Sequence, residues 1–394
     1  MGQVSAVLPM RVKQFNIVWP AFLALIISAA AWGKPFVPRD DTTVLERVPA
    51  ASEMQRVAPL REQLAADPKD LASALALATE YLEVGRRNGD PRFTSYAQAT
   101  LAPWLSQQDP PARVLTLGAT ALQSTHRFNE SLALLDRALE KNPSDAQAWL
   151  TRATVQQVLG RFDDARRSCG HLVQSAGPLI ALTCLSSVNS LNGKLTASYQ
   201  ALSGIYKDDV RLPASLRAWT LGQLAEMAVR LGDVQAAERY FRLGLTAAPQ
   251  DIYLKADYAD LLSAQGRNEE VIKLLESNEA QDNLLLRLAI AGRAVRSPEA
   301  ARWMQMFEER SQAARRDGDF THLREQARFE LEVRKQPVLA LQLAQRNWEV
   351  QHEPADVRVF VQAARAAGNS VAAKPVQEWI RESGYEDRTL VPRQ

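Results

Sequence analysis

One turn residue recurs along this chain at a nearly fixed step. His126, Gly160, Gly193, Gly232 and Gly266 stand 34, 33, 39 and 34 residues apart, each between two apolar helical patterns. A chain written in units of that length cannot bury a core inside one unit, so it has to stack them into a one-dimensional array. The long step holds an insertion, Lys207 to Pro213, that reads as a loop. Small residues fall seven before and five after each turn: Ala119 with Ser131, Ala153 with Ala165, Ser186 with Ser198, Ala225 with Ala237. Two antiparallel helices that cross closely need small side chains there. The fifth unit, Ala259 with Val271, departs modestly. Larger apolar residues sit seven apart on the second helix, as Phe128 and Leu135, Phe162 and Cys169, Leu195 and Leu202, Val234 and Phe241. Two helical turns separate such a pair, so each marks one buried stripe.

The unit from Ala146 adds Trp149, Ala153, Gly160, Phe162 and Ala165, and Pro143 and Pro249 close second helices at matching places. This pattern resembles the tetratricopeptide repeat family over five units, from Ala112 to about Glu276. His126 in place of the turn glycine, Ser186 with Ser198, and Lys255 where Trp is usual are departures. The resemblance implies an all-α, right-handed α-solenoid of antiparallel helix pairs, with protein-protein interaction as its work. More degenerate helical patterns flank the array, at 71–84 and 93–105, separated by a longer turn at 86–91. Others lie at about 283–294, 299–316, 320–335, 338–350, 356–367 and 371–383. The expected organisation is a signal segment at 1–31, an extended linker at 32–50, degenerate repeats at 51–111, five repeats at 112–276, and degenerate repeats with a cap at 277–394. Each unit is expected to pack only on its neighbours, with no single core.

The first forty residues differ from the rest. Arg11 and Lys13 precede an uncharged apolar stretch, Ile17 to Ala31, closed by Ser28-Ala29-Ala30-Ala31. A basic region, a short apolar region and small residues make a secretory signal, with cleavage after Ala31 or Gly33. The stretch is short for a spanning helix, which needs about 20 apolar residues. A periplasmic or envelope location follows as the expectation. The alternative is an inner-membrane anchor through residues 15–32, if the segment stays uncleaved.

Catalytic chemistry has no foothold in the pattern. The four histidines, His126, His171, His322 and His352, are scattered without ligand spacing, and His126 reads as a surface turn residue. No zinc-protease, hydrolase-elbow or phosphate-loop motif occurs. No cofactor or metal is expected. Paired acids such as Asp163-Asp164, Glu269-Glu270 and Glu308-Glu309 read as solvated faces. Asn129-Glu130-Ser131 is a glycosylation sequon inside a second helix. Basic and acidic residues nearly cancel, 47 against 45, and acids interleave the arginines between Arg287 and Arg334, which argues against a nucleic-acid face. The other function considered is an accessory subunit of an envelope enzyme complex, or a weak hydrolase with acid, base and nucleophile converging in one deep pocket of residues 283–384.

In this architecture the first helix of each unit lines the concave side. On the register above, the candidate partner-binding groove comprises Thr116, Thr120, Gln123, Gln147, Thr154, Gln157, Thr183, Ser187, Trp219, Glu226, Arg230, Tyr253 and Asp260. Arg113 and Ser190 belong to the same face. The chaperone-adaptor branch of the family holds a C-terminal carboxylate with Lys and Asn; Thr116, Thr120 and Thr183 stand at such positions, so that clamp is missing. A neutral groove suits a protein or peptide partner, and the same residues also read as merely solvated. Cys169 and Cys184, the only cysteines, stand about equally far from the turn at Ala176-Gly177-Pro178 on adjacent helices. They read as a disulfide in an oxidising compartment, or as two buried thiols.

Overall fold

A computed structural model describes residues 52–316 and 321–391. All regular elements among the described residues are helical. After α1 (Ser52–Ala66) the helices run in pairs: α2 (Leu71–Asn88) and α3 (Pro91–Leu105), α4 (Ala112–Ser124) and α5 (Phe128–Lys141), α6 (Ala146–Val158) and α7 (Phe162–Ser175). Next come α8 (Pro178–Ser190) and α9 (Leu195–Ile205), α10 (Ala214–Leu231) and α11 (Val234–Ala247), α12 (Ile252–Ala264) and α13 (Asn268–Leu275). The last are α14 (Asp282–Val295) and α15 (Ala300–Arg316), α16 (Leu323–Arg328) and α17 (Pro337–Trp348), α18 (Pro354–Ala366) and α19 (Lys374–Ser383). α16 runs on as a π-helical turn, Phe329–Val333, and a 3₁₀ turn, Arg388–Leu390, follows α19. The result is a right-handed α-solenoid. The expected signal segment at 1–31 and linker at 32–50 lie outside the described residues. No described helix is long and apolar enough to cross a membrane.

The recurring turn has a conformational basis. His126, Gly160, Gly193, Gly232 and Gly266 all take φ between 57° and 78°, the left-handed region that stops one helix and reverses the chain. Gly89, Arg296, Lys335 and Gly368 repeat the same conformation in the flanking pairs. The period thus extends past the five units legible in the sequence. At His126, Arg296 and Lys335 an L side chain accepts that region, against a steric cost of about 1 kcal/mol. The longer turn expected at 86–91 is tight instead. α2 continues through Arg86 and Arg87 to Asn88, and Asp90 caps α3 with Pro91 at its first position.

The small residues lie where the helices of a pair cross. Ala119, Ser131, Ala153, Ala165, Ala225 and Ala237 are 0–1% exposed, and Ser131 Oγ donates to the Ala119 carbonyl at 2.8 Å. That contact buries the hydroxyl of the expected sequon. Phe128 and Leu135, Phe162 and Cys169, and Leu195 and Leu202 are buried stripes as the seven-residue spacing implies. The expected loop after α9 is irregular, and Asp208 there pairs with Arg217 of α10 at 2.8 Å.

The expectation that each unit packs only on its neighbours fails. The last pairs pack against the turn edge of the early ones. Gly89 lies against Ile252 and Gln281, Gly160 against His352 and Trp379, Gly193 against Ser383 and Gly384, and Gly232 against Arg388. One buried cluster contains Phe162, Cys169, Leu172, Cys184 and Val188 together with Leu341, Trp348, Phe360, Val376 and Tyr385. The physical reason is the large side chains Trp348, Trp379 and Tyr385, whose apolar area is removed from water only when the curved array closes on itself. At Gly89 the closure is tight: a Cβ built there would stand 2.9 Å from Ile252 Cδ1, so glycine serves both the turn and the contact.

Candidate functional site

The first helices of the pairs position the expected groove residues, and their packing on one another divides them into two sets. Four are buried bonds between helices and therefore unavailable to a partner. Thr116 is fully buried, donating from Oγ1 to Asp145 Oδ2 at 2.8 Å, which joins α4 to the start of α6. Thr183 is fully buried with its Oγ1 3.2 Å from Thr220 Oγ1 on α10. Ser187 Oγ donates to Gln157 Oε1 at 3.0 Å, between α8 and α6. Arg230 is 0% exposed, and it donates to the Ser190 carbonyl at 2.7 Å, to Ser190 Oγ at 2.6 Å and to Glu226 at 2.9 Å. Its guanidinium lies 5.3 Å from the centroid of the Tyr385 ring. All four tie the first helix of one pair to that of the next. A polar side chain there meets the next first helix before it meets solvent.

Trp219 is half-buried against the cluster that holds the last pairs. Glu226 is half-buried and accepts from Arg358 of α18 at 3.2 Å as well as from Arg230. Asp260 accepts from Arg287 at 2.5 Å and Arg328 at 3.1 Å through one oxygen, while its Oδ1 is buried with no bond. Arg113 is exposed and Ser190 buried; Thr120 and Gln123 are half-buried. Gln147 and Thr154 are exposed, their polar groups turned to Thr151 and to the Leu150 carbonyl. Tyr253 is 54% exposed, a large aromatic left uncovered.

One residue that sequence reasoning missed stands beside it. Asp257 is four residues from Tyr253 on α12, so both share a face. Crowding by surrounding helices pushes its carboxyl up to about 7; Arg287 opposes the rise, and Asp260 and Glu226 add to it. The acid was invisible in the repeat register because it falls one step outside the positions that line a groove. The opposite case is Glu325 on α16: burial opposes its charge, but Arg324, His322 and Arg287 outweigh burial and hold it at about 2.

The dense arginines of the second half are spent on acids. Arg302 pairs with Glu279, Arg310 with Asp282, Arg324 with Glu353 and Asp356, and Arg334 with Glu308. No group of three or more His, Cys, Asp or Glu among the described residues has the arrangement of a metal site. A cleft of about 410 Å³ in the late pairs is lined by Leu331, Glu332, Lys335, Pro337, Gln362 and Ala366. Its polar lining is Glu332, Lys335 and Gln362, with no Ser, Cys, Thr or His among the residues that line it. Cys169 and Cys184 are joined by a disulfide with Cα atoms 5.6 Å apart, linking α7 to α8.

Residues 134–167 match the family described as tetratricopeptide repeat. That stretch is one period long, running from within α5 to within α7. No curated protein matches the sequence. Among solved structures, a tetratricopeptide repeat protein from Parabacteroides merdae is similar at 13% identity and a TM-score of 0.38, over 78% of this chain and 99% of that one. A chain of the Cut9–Hcn1 hetero-tetramer of the APC/C is similar at 14% identity and a TM-score of 0.40, over 79% of this chain. This chain spans only 52% of that chain's length. A monomeric IFIT1 mutant solved with Gppp-AAAA is similar at 15% identity and a TM-score of 0.41, over 84% of this chain and 67% of that one.

Proposed function

We propose, for a chain with one matched tetratricopeptide repeat and a left-handed turn inside every described pair, that it is a non-catalytic scaffold holding a protein or peptide partner. Tetratricopeptide folds generally mediate protein-protein interaction, and such proteins are generally not catalysts. The observation that carries the reading is the uncovered face of α12, where Tyr253 stands exposed beside Asp257 while the groove residues Trp219, Glu226 and Asp260 are half-buried and Arg230 is buried. A tyrosine offers a large rigid contact area with a polar tip, the kind of anchor that interfaces favour. The location proposed is the periplasm or cell envelope, with a role in assembly or maturation of an envelope system. The basic-apolar-small pattern of residues 11–31 and the Cys169–Cys184 disulfide both support an oxidising compartment.

Crosslinking in intact envelopes followed by capture is the experiment. Tyr253→Ala is the informative variant, because Trp219 is committed to packing. Loss of a captured protein with an unchanged helical circular-dichroism signal supports the reading; equal capture by the variant moves the binding face elsewhere. N-terminal sequencing of the same fraction tests the location, and an intact N-terminus in soluble cytoplasm overturns it.

A further inference from the structure

Three of the chain's four histidines gather at the joint between early turns and late pairs. His352 precedes α18, and its backbone N–H donates to the Val158 carbonyl at the end of α6, 2.8 Å away. Its ring lies 4.3 Å from Trp348 of α17 and 6.0 Å from Trp379 of α19, and its Nδ1 sits against Gly160. That nitrogen is buried with no hydrogen-bond partner. His126 occupies the turn between α4 and α5, half-buried. The groups facing it are Glu353 from the start of α18 with Arg324, His322 and Glu325 from α16 and its cap. His171, the fourth, stacks on Trp149 instead.

We propose that this joint is an acid-operated latch, closed while His126 and His352 are neutral and opened when they take up protons, so that the late pairs release the turn edge of the early ones. The helix pairs themselves stay folded, since their stripes and crossings lie within and between adjacent helices. The inference concerns the closure alone and does not need the partner-binding reading.

At His352, protonation would place a second N–H between two tryptophan rings and a glycine, with no acid against it. Burial lowers its affinity for a proton, and only the carbonyls of Trp348 and Leu159 oppose this. At His126 burial also lowers it. Glu353 and Glu325 favour the charge, but both carboxylates are engaged with Arg324, which repels it. The sign follows from linkage. Both imidazoles are weaker bases closed than open, so the open form binds more protons as pH falls below the ordinary histidine value near 6.5. The latch has its full strength above that value and loses it as pH drops through the lowered ones. Trp348 and Trp379 lie in the joint and report on it.

Hydrogen exchange of the His352 amide, corrected for intrinsic rate, is measured at about pH 7.5 and about pH 5, with tryptophan emission and far-ultraviolet circular dichroism on the same full-length samples. Expected is a corrected rate more than about threefold faster in acid, with red-shifted emission and an unchanged helical signal. His126→Gly with His352→Gln cannot charge, and glycine suits φ 57° at position 126; this pair of changes is expected to diminish the response, what is left belonging to Asp356 of α18, which pairs with Arg324 and whose carboxyl burial pushes up to about 7. If the double variant is unfolded at about pH 7.5, His126→Gly alone decides, through an opening midpoint shifted to lower pH. No acid response in the unaltered protein, loss of helix in step with the emission shift, or an undiminished response in the variants overturns the latch.

Discussion

Arg230 is the largest side chain buried completely among the described residues, and replacing it by methionine isolates what it does. Methionine keeps the stem's packing and removes the guanidinium. Three losses follow. Ser190 is the last residue of α8, so its carbonyl has no partner further along the helix and depends on the Arg230 bond of 2.7 Å. Orphaning a buried carbonyl costs about 1–3 kcal/mol. The guanidinium at 5.3 Å from the Tyr385 ring contributes about 1–2 kcal/mol in a desolvated setting. The Glu226 pairing adds less than about 1 kcal/mol, because that carboxylate is partly solvated and keeps Arg358 at 3.2 Å. Loss of these terms together destabilises the protein by about 3 kcal/mol, their overlap absorbing the excess. Arg230→Lys retains the charge but cannot bond Ser190 twice and Glu226 at once, so it falls between. Urea unfolding followed by circular dichroism measures both, using the midpoint because repeat arrays do not always unfold in one step. A methionine variant within about 1 kcal/mol of the natural protein refutes the claim that Arg230 is a structural tie.

Opening the disulfide between Cys169 and Cys184, which closes a 15-residue separation, is expected to lower stability by about 3 kcal/mol. Urea midpoints of oxidised and fully reduced protein check this, and equal midpoints contradict it. Asp257→Asn is expected to raise the melting temperature at about pH 8 and to leave it unchanged near pH 4. The carboxyl's raised value means that stability falls as pH rises from the ordinary carboxylate range to about 7, the loss being complete above that, an effect tempered because solvent reaches the group. Scanning calorimetry at both pH values is the measurement, and a pH-independent difference rejects the assignment. Glu238→Gln works in the other direction. Arg267 first, then Tyr258 and Arg242, hold this carboxyl at about 2 against its burial, so its contribution is present above the ordinary carboxylate range and fades as pH falls toward about 2. A variant as stable as the natural protein at neutral pH, by the same calorimetry, contradicts that network.

The helix pairs, their turns and their crossings were legible because each is settled within one unit. A residue at φ 72° must be glycine or tolerate the strain, as Gly160 and His126 do, and such positions punctuate any sequence built this way. Ala153 against Ala165, or Phe162 above Cys169, likewise depends on spacing along one hairpin. The turn conformation at Arg296 and Lys335 escaped the same reading: neither is a glycine, and Arg296 stands 30 residues after Gly266, short of the step that located His126. The disulfide lay between: equal distances from a turn brought Cys169 and Cys184 into register, while only the folded helices decided between a bond and two thiols. Closure belonged wholly to tertiary structure. His352 meets Val158, and Arg230 meets Tyr385, across more than a hundred residues with no period connecting them. Those contacts depend on how far the stacked pairs curve, a small rotation accumulated over many interfaces. Stacking on the neighbouring unit made Thr116, Thr183, Ser187 and Arg230 internal fastenings, closure laid Tyr385 over Arg230, and Tyr253 was left in the open.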